Sequence, residues 1–175
     1  MPDGDEMSRP GESTAASRTA DYAALEAVFG VGMVGLIALT SRRERDGGHP
    51  ISTEELVLLA MSTFTLADVL AKERISTWLR EPFVEEGTDH KPVRPEGSGM
   101  RYAIGELLTC TRCVGAWSAM GLVALRTASP TAGRATMRVL ALAGVNDFLQ
   151  SAFRLLAERT NRAAVETEAA RRALP

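Results

Sequence analysis

The chain alternates between blocks that hold almost no charge and segments that hold most of it. Four apolar blocks stand out, from about Tyr22 to Thr40, Leu56 to Ala71, Cys113 to Ala128 and Met137 to Leu156. Ala, Leu, Met and Glu dominate them, and no long alternation of Val, Ile and Thr occurs, so each block reads as a helix. Ser52 and Glu55 have the spacing of a capping box and predict a helix start, whose pattern can run on to Arg80, just before Pro82. Pro82, Pro92, Pro95, Gly97 and Gly99 predict a long loop between the second and third blocks. The expected fold is therefore all-α, a small bundle of about four helices with a long middle loop. Residues 1–20, with Asp3, Asp5, Glu6 and Glu12 among Ser, Thr, Gly and Pro, read as a disordered tail. Residues 21–157 form the helical domain, and 158–175, rich in Ala, Arg and Glu, read as a polar tail, either a solvated helix or frayed. The acidic start lacks the basic region of a cleaved signal, so the first block is expected to stay in the mature protein.

Composition by itself suggests a soluble domain. The 175 residues are 24% charged and 45% hydrophobic, with a mean hydropathy of −0.03. The uncharged stretch Ala27 to Ser41 rises only about 22 Å at ~1.5 Å per residue, short of a hydrocarbon core of ~30 Å. The first block nevertheless has no polar face, since Phe29, Val31, Val34, Leu36 and Ile37 alternate with Gly30, Gly32 and Gly35. A helix that is apolar all round is either a protected core helix or a membrane span. Admitting one snorkelling charge at an end brings all four blocks close to spanning length. With four spans, fourteen of the twenty basic residues fall in the two tails and the middle loop. The positive-inside rule then puts both termini and that loop in the cytoplasm, although Arg42, Arg43 and Arg45 run against it locally. Ile75, Trp78 and Leu79 share one helical face, flanked by Lys72, Arg74 and Arg80, which suits either a lipid interface or packing on a soluble core. A net charge of −2 gives no positive field to hold nucleic acid.

Three groups of residues are candidates for chemistry. Gly30, Gly32 and Gly35 spell GxGxxG, but no strand-helix-strand context surrounds them, so close helix approach in a membrane is the better account than a nucleotide site. Cys110 and Cys113 are the only cysteines, spaced as CxxC, three apart on one helical face with Trp117 a turn beyond. They can be a redox dithiol, half of a zinc site completed by a second chain, or two small packing residues. Within one chain only His49 and His90 could supplement them as metal ligands, and a stable disulfide is disfavoured in a cytoplasmic loop. Asp147 sits in mid-block with Asn146 and Gln150 nearby, and Asp68 is its candidate neighbour on the second block. An intramembrane carboxylate should face the bundle interior, as a proton or ion site or as a packing contact.

One set of local patterns points to a family. Reading from Thr63-Phe64-Thr65-Leu66 through Lys72-Glu73-Arg74-Ile75-Ser76 and Leu79-Arg80-Glu81-Pro82-Phe83, then Glu106-Leu107-Leu108-Thr109-Cys110-Thr111-Arg112-Cys113-Val114-Gly115-Ala116-Trp117, the chain resembles the bacterial integral membrane proteins grouped as domain of unknown function 1360. That family includes a sporulation-associated membrane protein, and the resemblance covers about residues 24–155. Its most specific residues are Arg80, Pro82, Phe83, Gly115 and Trp117 with the cysteines. The chain departs from the pattern at Thr65 and Asp68, where basic residues are common, and at Thr111 and Arg112, where Pro and an aromatic are frequent. The resemblance implies a multi-pass protein of a bacterial cell membrane and supplies no reaction or cofactor. The expected role is structural or regulatory, through assembly with itself or another membrane protein in the bilayer. The alternatives are a thiol oxidoreductase using the cysteine pair and a dimer held by zinc between two such pairs.

Overall fold

A computed structural model describes residues 10–87 and 92–172, for 10–18 and 168–170 in their backbone alone. The chain is mostly helical. Its order is α1 (Pro10–Arg45), α2 (Thr53–Lys72), a 3-10 turn (Arg74–Ser76), α3 (Thr77–Arg80), β1 (Val84–Glu86), β2 (Pro92–Pro95), α4 (Met100–Thr109), α5 (Thr111–Ala128) and α6 (Pro130–Arg172). α1 starts at Pro10, inside the segment read as a disordered tail, and residues 1–9 lie outside the described residues. α6 continues through most of the segment read as a polar tail.

α2 is the centre of the bundle and packs along α5 and α6, while α1 lies against α5 and α4. Its start is the capping box expected from Ser52 and Glu55: the Glu55 N–H donates to Ser52 Oγ at 3.2 Å and the Ser52 N–H to Glu55 Oε2 at 3.4 Å. Leu59, Leu122 and Met137 bring α2, α5 and α6 together. Ser62 is buried at that junction and donates to the Met137 carbonyl at 2.7 Å. A β-carbon on Gly144 would stand 2.2 Å from Thr65 Oγ1, so the α2–α6 crossing is close because that position carries no side chain. A β-carbon on Gly133 would stand 2.5 Å from Arg126 Cα, which fixes the tight passage from α5 into α6.

The segment between α2 and α5 corrects three expectations. α2 does not run on to Arg80, because Glu73 is extended (φ −78°, ψ 148°) and a 3-10 turn follows. Arg80 is not an exposed flank of an interfacial helix. It is fully buried, donating from Nη1 to the Leu70 carbonyl at 2.8 Å and pairing with Glu86 at 3.1 Å, while Thr77 Oγ1 donates to the other Glu86 oxygen at 2.8 Å. The guanidinium thus satisfies a carbonyl left open by the end of α2 and folds α3 back under it. The expected loop holds an antiparallel hairpin with Val84 opposite Pro95 and an irregularity after Glu85. Prolines fit here because a two-stranded ribbon has only edge strands. α4 presses on this hairpin, and a β-carbon on Gly105 would stand 2.4 Å from the Phe83 carbonyl oxygen. Pro82 and Phe83 form the link that this contact holds in place. Ile75 and Trp78 stay exposed, as an interfacial face requires.

Among the described residues, two helical segments are long and apolar enough to cross a membrane, Thr19–Arg45 and Pro130–Thr167. α4 and α5 pass the same test together, bent by 89° at their junction, and α2 does not pass it. Almost all of the apolar stretch of α1 is uncovered: Val31, Val34 and Ile37 are exposed, and Leu36 is the residue of that stretch that is buried. On α6, Val139, Leu142, Leu149 and Phe153 are exposed in the same way.

Candidate functional site

The sharp bend between α4 and α5 places Cys110 outside both helices, as the N-cap of α5, with an extended backbone (φ −91°, ψ 101°). This refines the expectation that both cysteines share one helix. Only Cys113 is helical, in the first turn of α5, and its backbone N–H donates to Cys110 Sγ at 3.3 Å. Both thiols are free. Hydrogen bonding from Cys113, side chain first and backbone second, holds the Cys110 thiol below its ordinary value, and the Arg112 charge acts in the same direction.

Both cysteines line a cavity of about 690 Å3 between α1, α4 and α5. Leu25 and Phe29 of α1, Leu107 of α4, and Ala116 and Trp117 of α5 make its wall apolar. Phe29 and Trp117 meet edge to face, with ring centroids 5.2 Å apart. Besides the cysteines, the polar groups on its wall are Tyr22, Glu26, Glu106 and Thr109, and the Tyr22 hydroxyl donates to Glu106 Oε2. Glu106 lies four residues before Cys110, a helical spacing that could have flagged it in sequence. Tyr22 and Phe29 arrive from a distant helix, which no local pattern announces. Trp117 takes part as a wall of this cavity, whereas Gly115 faces α2, 3.9 Å from Ala67 by its would-be β-carbon.

Asp68 and Asp147 do come together, on the wall of a second cavity of about 390 Å3 between α2 and α6 that also includes Thr65, Glu73 and Ser151. Asp147 is exposed on α6 and does not face the bundle interior, because Gly144 and Ala141 supply the buried face there. Asn146 and Gln150 are exposed too, and neither lines that cavity. Asp68 is paired with Lys72 one turn along α2. Phe64 and Phe148 stack at 5.4 Å on the rim.

Among the described residues no three His, Cys, Asp or Glu side chains gather as metal ligands. His49 lines a third cavity with Thr40, Arg43, Arg126 and Pro130, away from the cysteines, and His90 lies outside the described residues. Of the three glycines of the GxGxxG pattern, all inside α1, only Gly32 approaches another helix, 3.1 Å from Met120 by its would-be β-carbon. Gly30 and Gly35 face open space, so within one chain they are not close-packing positions.

One strong interaction had no sequence signal beyond its cap. Arg126, near the end of α5, meets Glu55 in a two-pronged ion pair at 2.9 and 3.0 Å, with Arg134 3.9 Å from the same carboxylate. The Arg126 hydrogen bonds hold the Glu55 carboxyl below its ordinary value, against the opposing effect of burial. The pair ties the start of α2 to the end of α5.

Comparison with known proteins agrees with the family pattern in the sequence. The sporulation protein YjcA of Bacillus subtilis (strain 168) is 33% identical over 103 residues, which take in 55% of this chain and 87% of that relative. No solved structure matches. The family described as protein of unknown function (DUF1360) matches residues 58–153, from within α2 to the apolar half of α6. With both cysteines, the Arg80 anchor and the Gly144 crossing inside that match, the chain belongs to the DUF1360 family.

Proposed function

We propose that the protein is a four-span membrane protein whose role is structural or regulatory, exercised by assembling with itself or another membrane protein through α1. One observation carries the reading: the apolar stretch of α1 has no polar face, leaves Val31, Val34 and Ile37 exposed with Leu36 as its buried residue, and leaves Gly30 and Gly35 uncovered. Lipid satisfies the apolar surface, and small residues let a second helix approach closely. The ends of α1 and α5, the loop leading into α2 and the start of α6 share one cavity, which supports an antiparallel four-helix course through a bilayer. α2 then crosses with Leu56 to Ala71, ~24 Å at 1.5 Å per residue, with Glu54 and Glu55 at one end and Asp68, inside the crossing, paired with Lys72 at the other. Both termini and the segment from Glu73 to Arg112 lie on the cytoplasmic side, where basic residues concentrate. The relationship to a sporulation protein supports a bacterial cell membrane as the location.

Fractionation without detergent tests the first step, since recovery of the chain in the high-speed supernatant would sink the membrane reading. Reporter fusions at positions 46, 90 and 130 test the topology, with 46 and 130 expected outside and 90 inside. Assembly is tested by cross-linking in membranes. Gly30→Leu with Gly35→Leu should abolish the cross-linked species, and its persistence at wild-type yield would remove α1 from the contact.

A further inference from the structure

We propose that Cys110 and Cys113 form a disulfide-reducing centre, with Cys110 as the attacking thiol, Cys113 as the resolving thiol, and an apolar disulfide as the substrate seated in the cavity between α1, α4 and α5. Four observations converge. The two sulfurs are free, close and ordered head to tail at the start of an 18-residue helix, with the Cys113 N–H aimed at Cys110 Sγ. Negative charge on a sulfur is stabilised at that position by the helix N-terminus and by its N–H donor. Both sulfurs line the same apolar cavity, whose volume of about 690 Å3 lies in the range of small-molecule sites. The Phe29 and Trp117 rings wall it next to them, which favours an apolar or aromatic substituent on the substrate sulfur. The lowered Cys110 thiol follows from the same geometry.

The chemistry closes on the chain's own two thiols and the substrate. Cys110 loses its proton to water, and the thiolate attacks one substrate sulfur. A Cys110–substrate S–S bond forms, the substrate S–S bond breaks, and the leaving thiolate takes a proton. Cys113, whose thiol burial pushes up to about 11 and which therefore starts protonated, gives up its proton to water as it attacks Cys110 Sγ. The Cys110–Cys113 bond forms, the Cys110–substrate bond breaks, and the second substrate thiolate takes a proton and leaves as the thiol. The substrate disulfide gains two electrons and two protons, and the dithiol loses them. Under the proposed topology this pair faces the cytoplasm, where thiols are kept reduced, so the dithiol is the form that meets substrate. The membrane reading can fail without this one failing, because the decisive experiment is done on purified protein.

Full-length protein in detergent micelles is mixed with dibenzyl disulfide and, separately, with oxidised glutathione, and the products are followed by mass spectrometry. Wild type is expected to yield the Cys110–Cys113 disulfide and two equivalents of benzyl thiol. Cys113→Ser should stop with one benzylthio group on Cys110, and Cys110→Ser should react at least about tenfold more slowly. Ala116→Trp, which narrows the cavity, should slow dibenzyl disulfide at least about tenfold more than oxidised glutathione. That contrast also separates substrate binding from a folding defect, which would slow both alike. Equal rates at the two cysteines would overturn the proposal. So would equal slowing of both substrates by Ala116→Trp in a folded protein, or a wild type that stays dithiol.

Discussion

Replacing Glu55 by Gln tests whether the pair with Arg126 holds the start of α2 to the end of α5. The Arg126 side chain is 6% exposed and that of Glu55 13%, and the contact is made through both guanidinium prongs at 2.9 and 3.0 Å. Breaking a buried pair on one side leaves an uncompensated charge and costs about 3–5 kcal/mol. Arg134, 3.9 Å from the carboxylate and 39% exposed, adds to the positive charge left behind. Glutamine still reaches the guanidinium with one oxygen, so the expected loss lies near the lower end, about 3 kcal/mol. Glu55 stands in the capping turn ahead of the apolar part of α2, and its folded-state carboxyl titrates below the ordinary value. Its contribution is therefore fully present above the unfolded-state value, ~4.3, and fades as pH falls through the lower folded-state value. Equilibrium unfolding in mixed micelles, followed by circular dichroism from pH 7 to pH 3, reads both effects. Glu55→Gln should be less stable at pH 7 and should lack part of the acid-side loss seen in wild type. Glu55→Leu with Arg126→Met should recover much of the stability of the single variant. A Glu55→Gln stability within about 0.5 kcal/mol of wild type, the range of surface changes, would refute the reasoning.

Arg80→Met should remove the guanidinium from its contact with Glu86 and leave the buried Leu70 carbonyl without the Arg80 donor, costing about 1–3 kcal/mol. Loosening of the hairpin should show as faster amide exchange at Val84 to Glu86 than in α5. Gly105→Ala drives a β-carbon against the Phe83 backbone and should cost about 1–3 kcal/mol, measured by the same micelle unfolding. Gly35→Ala, which meets nothing within the chain, should instead gain up to ~1 kcal/mol of helix propensity. Gly144→Ala should destabilise, and adding Thr65→Ala should remove most of the defect, since Thr65 Oγ1 is the atom in the way.

The apolar blocks, their helical character and the start of α2 were legible in the sequence because each depends on residues within one or two turns of one another. The capping box is such a case, as Ser52 and Glu55 need only each other. The family pattern was legible for the same reason, being a set of short local strings. The spacing of the cysteine pair was visible, and Asp68 and Asp147, candidate neighbours in the sequence, line one cavity. What the sequence by itself could not decide was which side of each helix meets which neighbour. Arg80 reads as one basic flank among several, and only the return of α3 beneath α2 makes it the buried anchor. Gly30 and Gly35 read as packing positions and face open space, while Gly105, Gly133 and Gly144 carry the close approaches. The cavity beside Cys110 exists because α1, over eighty residues earlier, brings Tyr22 and Phe29 against Glu106 and Trp117. Local sequence sets backbone propensity and the periodicity of apolar faces. The partners of those faces follow from a global packing in which many contacts of high sequence separation are satisfied at once, and that was settled only in three dimensions.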